Sequence, residues 1–259
     1  MALSKKQINT VEGVLRVALR KRFAKYKPEP AAMPFHTRLL GKDRMALYSF
    51  IHSLSTNFGT SIFEPVAVAL ANNSFENVKS QVSIGKNISE FSQIEIQRIM
   101  DGLTTARTDP DKISEIEAIR KVAQKGKMIV VKPTKVDIFM QDGKGGYFLF
   151  DLKTAKPNKG GFKEFKRTLL EWVAIVLADN PSAEISTFIA IPYNPYEPKP
   201  YTRWTMRGMI DLKNELKVAE EFWNFLASQD VYQGLLDCFE RVGIEMQKEI
   251  DDYFKKYNH

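Results

Sequence analysis

Asp137, Asp151 and Lys153 form the spacing in this chain with the clearest chemical content, Asp-x13-Asp-x-Lys. Asp151 and Lys153 end an apolar, aromatic run, residues 147–152, that reads as a β-strand. Residues i and i+2 of a strand face the same side, so Asp151 and Lys153 project together while Leu152 turns to the core. The glycine-rich turn at 142–146 returns the chain to a preceding strand that carries Asp137. Two carboxylates then converge with an ammonium beside them. That group suits metal-assisted hydrolysis of a phosphodiester. Mg2+ takes one or two carboxylates, keeps several waters and binds phosphate oxygens. It lowers the pKa of a bound water and polarises the phosphate. A neighbouring lysine can orient that water, take its proton or offset charge in the transition state.

By spacing alone the same residues also describe a solvated hairpin with a surface Asp–Lys pair. Three neighbours favour chemistry. The acids end a buried strand. The chain runs at once into its densest basic stretch, residues 153–167, with six cations and one anion. A long amphipathic helix and a buried strand follow.

The elements that must position these residues are read from periodicity. Residues 5–26 form an amphipathic helix with Ile8, Val11, Leu15, Leu19, Phe23 and Tyr26 on one face, stopped by Pro28 and Pro30. A helix over about 43–56 is expected to break at Gly59. Another follows over about 61–72, with Thr60 or Ser61 as N-cap and Glu64 and Pro65 in its first turn. Helices are expected at 88–106 and 112–125. Residues 128–131, 135–140 and 147–152 read as antiparallel strands, 161–179 as a helix and 185–191 as a buried strand. Residues 192–200 (PYNPYEPKP) form a proline-rich loop, and 211–227 and 231–257 read as acidic helices. One mixed sheet flanked by helices is the economical arrangement. The whole of 1–259 is taken as one domain, with a basic N-terminal helix (1–27), a β-β-β-α-β core (128–191) and C-terminal helices (211–259).

The hairpin with Asp137 and Asp151-Leu152-Lys153, followed by helix and strand, resembles the PD-(D/E)XK (restriction endonuclease-like) core. Longer strings resemble the TdeIII/MjaII-like type II restriction endonucleases: residues 34–44 (PFHTRLLGKDR), 49–54 (SFIHSL), 59–64 (GTSIFE) and 151–160 (DLKTAKPNKG). The likeness covers about residues 30–210. One departure is Val136, where the motif has proline; Pro133 stands four residues before Asp137. The resemblance implies an α/β fold and a Mg2+-dependent endonuclease. It would cut double-stranded DNA at a short, GGNCC-like palindrome and leave 5′-phosphate ends. It implies Asp137 and Asp151 as metal ligands, Lys153 as the catalytic lysine, and Glu64 as a further acid of the site. A helix N-terminal acid favoured by the macrodipole is the plain alternative for Glu64.

Lys156, Asn158, Lys159, Lys163 and Lys166 are candidate phosphate contacts, which position DNA without reading it. Arg203 and Arg207, after the proline-rich loop, are candidates for guanine recognition, although Tyr201 and Trp204 beside them also suit core packing. A palindrome is matched by two-fold symmetry, so a homodimer is expected.

Composition agrees and excludes much else. The chain has 259 residues, 44% hydrophobic and 27% charged, which is globular. Its net charge of +7 suggests a polyanionic partner. The first 27 residues alone carry +7, residues 153–167 carry +5, and residues 211–259 carry −5. The N-terminal helix can therefore grip DNA or pack on the acidic C-terminal helices of its own chain or of a partner subunit. No apolar run is long enough to cross a membrane. The single cysteine, Cys238, excludes an internal disulfide and a multi-cysteine zinc site. With no secretory signal at the start, a cytoplasmic setting is expected. His36, His52 and His259 are too scattered for a histidine–metal nuclease. No phosphate-binding P-loop is present, so no nucleotide cofactor is expected. The rival functions are another PD-(D/E)XK nuclease, repairing or junction-resolving, and a non-catalytic DNA-binding protein.

Overall fold

The structure, a computed structural model, describes residues 3–25, 33–153, 161–201 and 208–255. In chain order the first elements are α1 (Lys5–Lys25), α2 (Pro34–Leu40), α3 (Lys42–Phe58), α4 (Glu64–Ala71), β1 (Glu76–Val82), β2 (Asn87–Ser89), α5 (Glu90–Thr104) and α6 (Lys112–Arg120). Then come β3 (Met128–Val130), β4 (Val136–Gln141), β5 (Tyr147–Leu152), α7 (Phe162–Asp179), β6 (Ile185–Ile191), β7 (Leu216–Val218), α8 (Glu220–Ala227), α9 (Tyr232–Glu245) and α10 (Gln247–Lys255). The chain falls into two compact units. One joins the residues up to Leu70 with those from Gln229 onward, and the other is Ala71–Ser228.

In the first unit, α1 buries Val11, Leu15 and Ala18. Its cations meet the acidic C-terminal helices of the same chain. Arg16 pairs with Glu245 at 2.6 Å, Arg20 with Glu249 at 2.7 Å, and Glu12 with Arg241 at 2.7 Å. Phe23 stacks on Tyr253, and Phe50 packs at a tilt against the same ring. The basic helix thus packs on the acidic C-terminal helices of its own chain, one of the roles open to it. Gly59 does not break the chain. Residues Gly59–Phe63 form a π-helical turn that carries α3 into α4, so α4 begins at Glu64 itself.

The second unit is built on a five-stranded mixed sheet in the order β1-β4-β5-β6-β7. β1/β4 and β4/β5 are antiparallel; β5/β6 and β6/β7 are parallel. A parallel step needs a crossover, and α7 supplies it between β5 and β6. Its sequence allows this because Leu169, Leu170, Trp172, Val173, Val176 and Leu177 are all buried. They pack with Leu149, Ile185, Ile189 and Ile191 of the sheet and with Ile96, Ile99 and Leu103 of α5. The Trp172 indole N–H also donates to the Thr134 carbonyl at 2.9 Å, tying α7 to the start of β4. The opposite face carries an aromatic cluster of Phe148, Phe150, Phe188, Phe222 and Phe225.

Three expectations are corrected. The strand at 128–131 does not extend the hairpin; β3 pairs with β2 in a separate two-stranded sheet. Residues 211–227 are not one helix, because 216–218 pair with β6 as β7 before α8 begins. The place beside β4 is taken by β1, a polar and mostly exposed edge strand that hydrophobic patterning does not reveal.

Candidate active site

The β4/β5 register pairs Ile138 with Phe150. One position further, Asp137 comes opposite Asp151. Both point to the α7 side of the sheet, the side on which Phe139 and Leu149 pack. β5 also continues its pairing with β6 past Leu152, since Lys153 N–H donates to the Ala190 carbonyl at 2.9 Å. The Lys153 backbone is thereby fixed beside two strands. Its Nζ lies 2.5 Å from Asp151 Oδ1. Leu152, expected in the core, is half-buried. Its amide has a different use: it donates to Asp137 Oδ2 at 2.7 Å.

Burial governs the electrostatics. Asp151 is 4% exposed, and loss of water pushes its carboxyl from an ordinary 3.8 up to about 6. Lys153 pulls the value down and the Asp137 carboxylate pushes it up again. Two carboxylates in such a site favour either a shared proton or a cation. As hard oxygen donors they fit a divalent ion such as Mg2+, and Asp137 and Asp151 are the residues that would hold it. Among the described residues no set of three or more His, Cys, Asp or Glu forms a ready metal cage. Water and phosphate oxygens would complete the coordination, as Mg2+ prefers.

Two neighbours were not legible in the sequence. Gln81 of β1 donates its Nε2 to Asp137 Oδ1 at 3.0 Å. Its backbone has φ 55°, a left-handed conformation uncommon outside glycine. With Leu152 N–H on the other oxygen, both atoms of the Asp137 carboxylate are held. Phe165 of α7 presents its ring to Lys153, with Nζ 4.5 Å from the centroid.

The remaining candidates are dispersed. Glu64 opens α4, is buried, and belongs to the other compact unit. Lys163 is exposed in the first turn of α7. Lys166 is a correction. It is fully buried, with Nζ 2.6 Å from Glu115 and 2.6 Å from Glu215, and so does not present its charge to a phosphate. Glu215 also pairs with Lys112 at 2.9 Å. Lys156, Asn158 and Lys159, and likewise Arg203 and Arg207, lie outside the described residues. Tyr201 packs against the core, the structural role weighed for it above.

A helix-flanked mixed sheet with acid, acid and lysine at adjoining strand ends is consistent with the PD-(D/E)XK nuclease fold. The family model described as "Type II restriction endonuclease, HinfI" matches residues 3–243. The chain therefore belongs to the HinfI family of type II restriction endonucleases. Among curated proteins it is 26% identical to type II restriction enzyme HgiCII of Herpetosiphon aurantiacus, over 84% of this chain and 80% of that one. It is 27% identical to type II restriction enzyme MjaII of Methanocaldococcus jannaschii, over 99% of this chain and 76% of that one. HgiEI, also of Herpetosiphon aurantiacus, is 25% identical over 84% and 79%. Among the described residues no helix is long and apolar enough to cross a membrane.

Proposed function

We propose that this protein is a Mg2+-dependent type II restriction endonuclease that cuts both strands of duplex DNA at a short palindrome of GGNCC type, leaving 5′-phosphate ends. The observation that carries the reading is the convergence of Asp137, Asp151 and Lys153 at adjoining strand ends. Asp137 and Asp151 would hold the ion, which would polarise the phosphate and lower the pKa of a water. The Lys153 ammonium offsets charge that builds on the phosphate as the water attacks. Gln81 and the Leu152 amide keep the Asp137 carboxylate oriented. Lys163 contacts the backbone beside the cut, with Lys156, Asn158 and Lys159. Arg203 and Arg207 read guanines. A homodimer in the cytoplasm presents two such sites to the two strands.

Incubating plasmid DNA with the protein and Mg2+, then sequencing the ends, tests this. Cuts at one short palindrome with 5′-phosphates are expected. Sequence-independent or junction-specific cutting would leave a repair-type nuclease instead. Binding without cutting would leave a DNA-binding protein.

Two further outcomes follow from the geometry. Outer-sphere partners of metal ligands typically matter ten- to a hundredfold in metal affinity. Gln81→Ala should therefore weaken Mg2+ binding about tenfold by calorimetry, with an unchanged melting temperature because Gln81 is exposed. Unchanged affinity would make Gln81 a bystander. The second concerns pH. Asp151 has a folded value of about 6 against an ordinary 3.8, so the folded state binds its proton more tightly. The metal-free protein should then lose stability as pH rises from about 4 through about 6, by about 3 kcal/mol. Asp151→Asn should remove that slope in denaturant titrations at each pH. An identical slope in both proteins would contradict the assignment.

A further inference from the structure

We infer that Phe165 is a positioning residue for Lys153, setting where its ammonium stands during cleavage; the inference rests on the role proposed above for Lys153. An ammonium at the end of a flexible four-carbon stem goes where its contacts hold it. Here two contacts hold it, the Asp151 carboxylate at 2.5 Å and the face of the Phe165 ring at 4.5 Å. They differ in kind. Asp151 has oxygens to give to a cation, and whatever it gives there it withdraws from Lys153. The ring attracts the ammonium through its quadrupole and does not compete for a metal. It is the anchor that persists when Asp151 turns to other work.

The ring is itself held. Phe162, buried, meets it edge-on at 5.6 Å and 88°, and the ring packs against the α7 core. On its other side stands Gly161. A methyl group there would lie 2.7 Å from the tip of the ring and 3.2 Å from both flanking carbons. Gly161 has φ −80°, which alanine adopts freely, so this glycine serves space rather than backbone conformation. The absent side chain leaves the volume that lets the ring lie beneath Lys153.

The test uses the full-length protein, a duplex carrying the site mapped by plasmid digestion, and four variants. Phe165→Leu keeps apolar bulk and removes the aromatic face. Its single-turnover rate should fall about 3- to 30-fold, the range of a cation–π contact, with DNA affinity unchanged in a protein that still folds. Phe165→Tyr keeps the face and should restore the rate. Gly161→Ala pushes the ring aside and should slow cleavage as Phe165→Leu does. In metal-free protein, the Lys153 side-chain methylene resonances should be ring-current shifted in wild type and Phe165→Tyr but not in Phe165→Leu. Lys153→Ala is the control. If it cleaves normally, the underlying role of Lys153 is wrong. If it is inactive while Phe165→Leu cleaves like wild type, only the role of Phe165 is overturned. A Tyr variant as slow as the Leu variant also overturns it. If Phe165→Leu fails to fold, Phe165→Tyr and Gly161→Ala decide between the same outcomes.

Discussion

Alanine at Asp151 or at Lys153 is expected to lower the single-turnover cleavage rate by about a thousandfold or more, while duplex DNA still binds. The magnitude follows from what each substitution removes. Positioned groups that manage protons or charge at a reacting centre are each worth about 10²- to 10⁴-fold. Asp151→Ala halves the carboxylate pair and so also removes one of the two ligands proposed for the metal. The fold should tolerate it. Asp151 is buried with its pKa raised by desolvation, which means that its charge burdens the metal-free fold. DNA affinity without metal should stay equal or tighten in Asp151→Ala, since a carboxylate no longer faces the phosphate, and should weaken slightly in Lys153→Ala. Fluorescence anisotropy without divalent ions and single-turnover digestion with Mg2+ measure the two quantities separately. Near wild-type cleavage in both variants would sink the site. Binding by both variants, with no Mg2+-dependent cleavage by wild type, would remove catalysis from the reading altogether.

The site was legible because its geometry is local. A turn of fixed length joins two strands whose alternation is visible in the sequence, so the pairing that brings Asp137 opposite Asp151 follows from neighbours. α7 and β6 were legible for the related reason that nearly every inward residue is apolar. What escaped depends on partners far along the chain. β1 (ENVKSQV) is an exposed edge strand with no hydrophobic period, and Gln81 meets Asp137 across 56 residues. β7 is three residues long within a stretch rich in helix formers; pairing with β6 decides its conformation, and local propensity does not. Lys166 misled for the same reason. It stands in a run of cations that reads as one basic surface, but on the buried face of α7 it meets acids 51 and 49 residues away in the chain, Glu115 and Glu215. Gly59 shows the limit of residue types as punctuation, since a π-helical turn carries the helix through it.

The largest effect on stability should come from Glu215, which lies outside the proposed acid–acid–lysine site. Its carboxylate is fully buried, accepts from Lys112 at 2.9 Å, Lys166 at 2.6 Å and the Asp211 amide at 2.9 Å, and joins α6, α7 and the approach to β7. Burial tends to raise its pKa, but the two ammoniums outweigh burial and hold it below the ordinary 4.5. Burial lowers the Lys112 value and raises that of Glu115, while the Glu215 carboxylate works against the burial penalty on Lys112. Glu215→Ala leaves two buried lysines against Glu115 alone. Breaking a buried pair costs about 3–5 kcal/mol, so the melting temperature should drop by about 10 °C. The sign with pH follows from the lowered value. The contribution of Glu215 is present at neutral pH and is lost as pH falls below the ordinary carboxylate range. Its removal should therefore matter less in acid. Replacing all four charges together, as Lys112→Met, Glu115→Leu, Lys166→Met and Glu215→Leu, should restore most of the loss, because the penalty lies in unpaired charge rather than in the pairs as such. Calorimetric melts of the single and quadruple variants give the answer. A Glu215→Ala protein that melts with wild type, or a quadruple variant no better than the single one, would show that the cluster does not hold this unit together electrostatically.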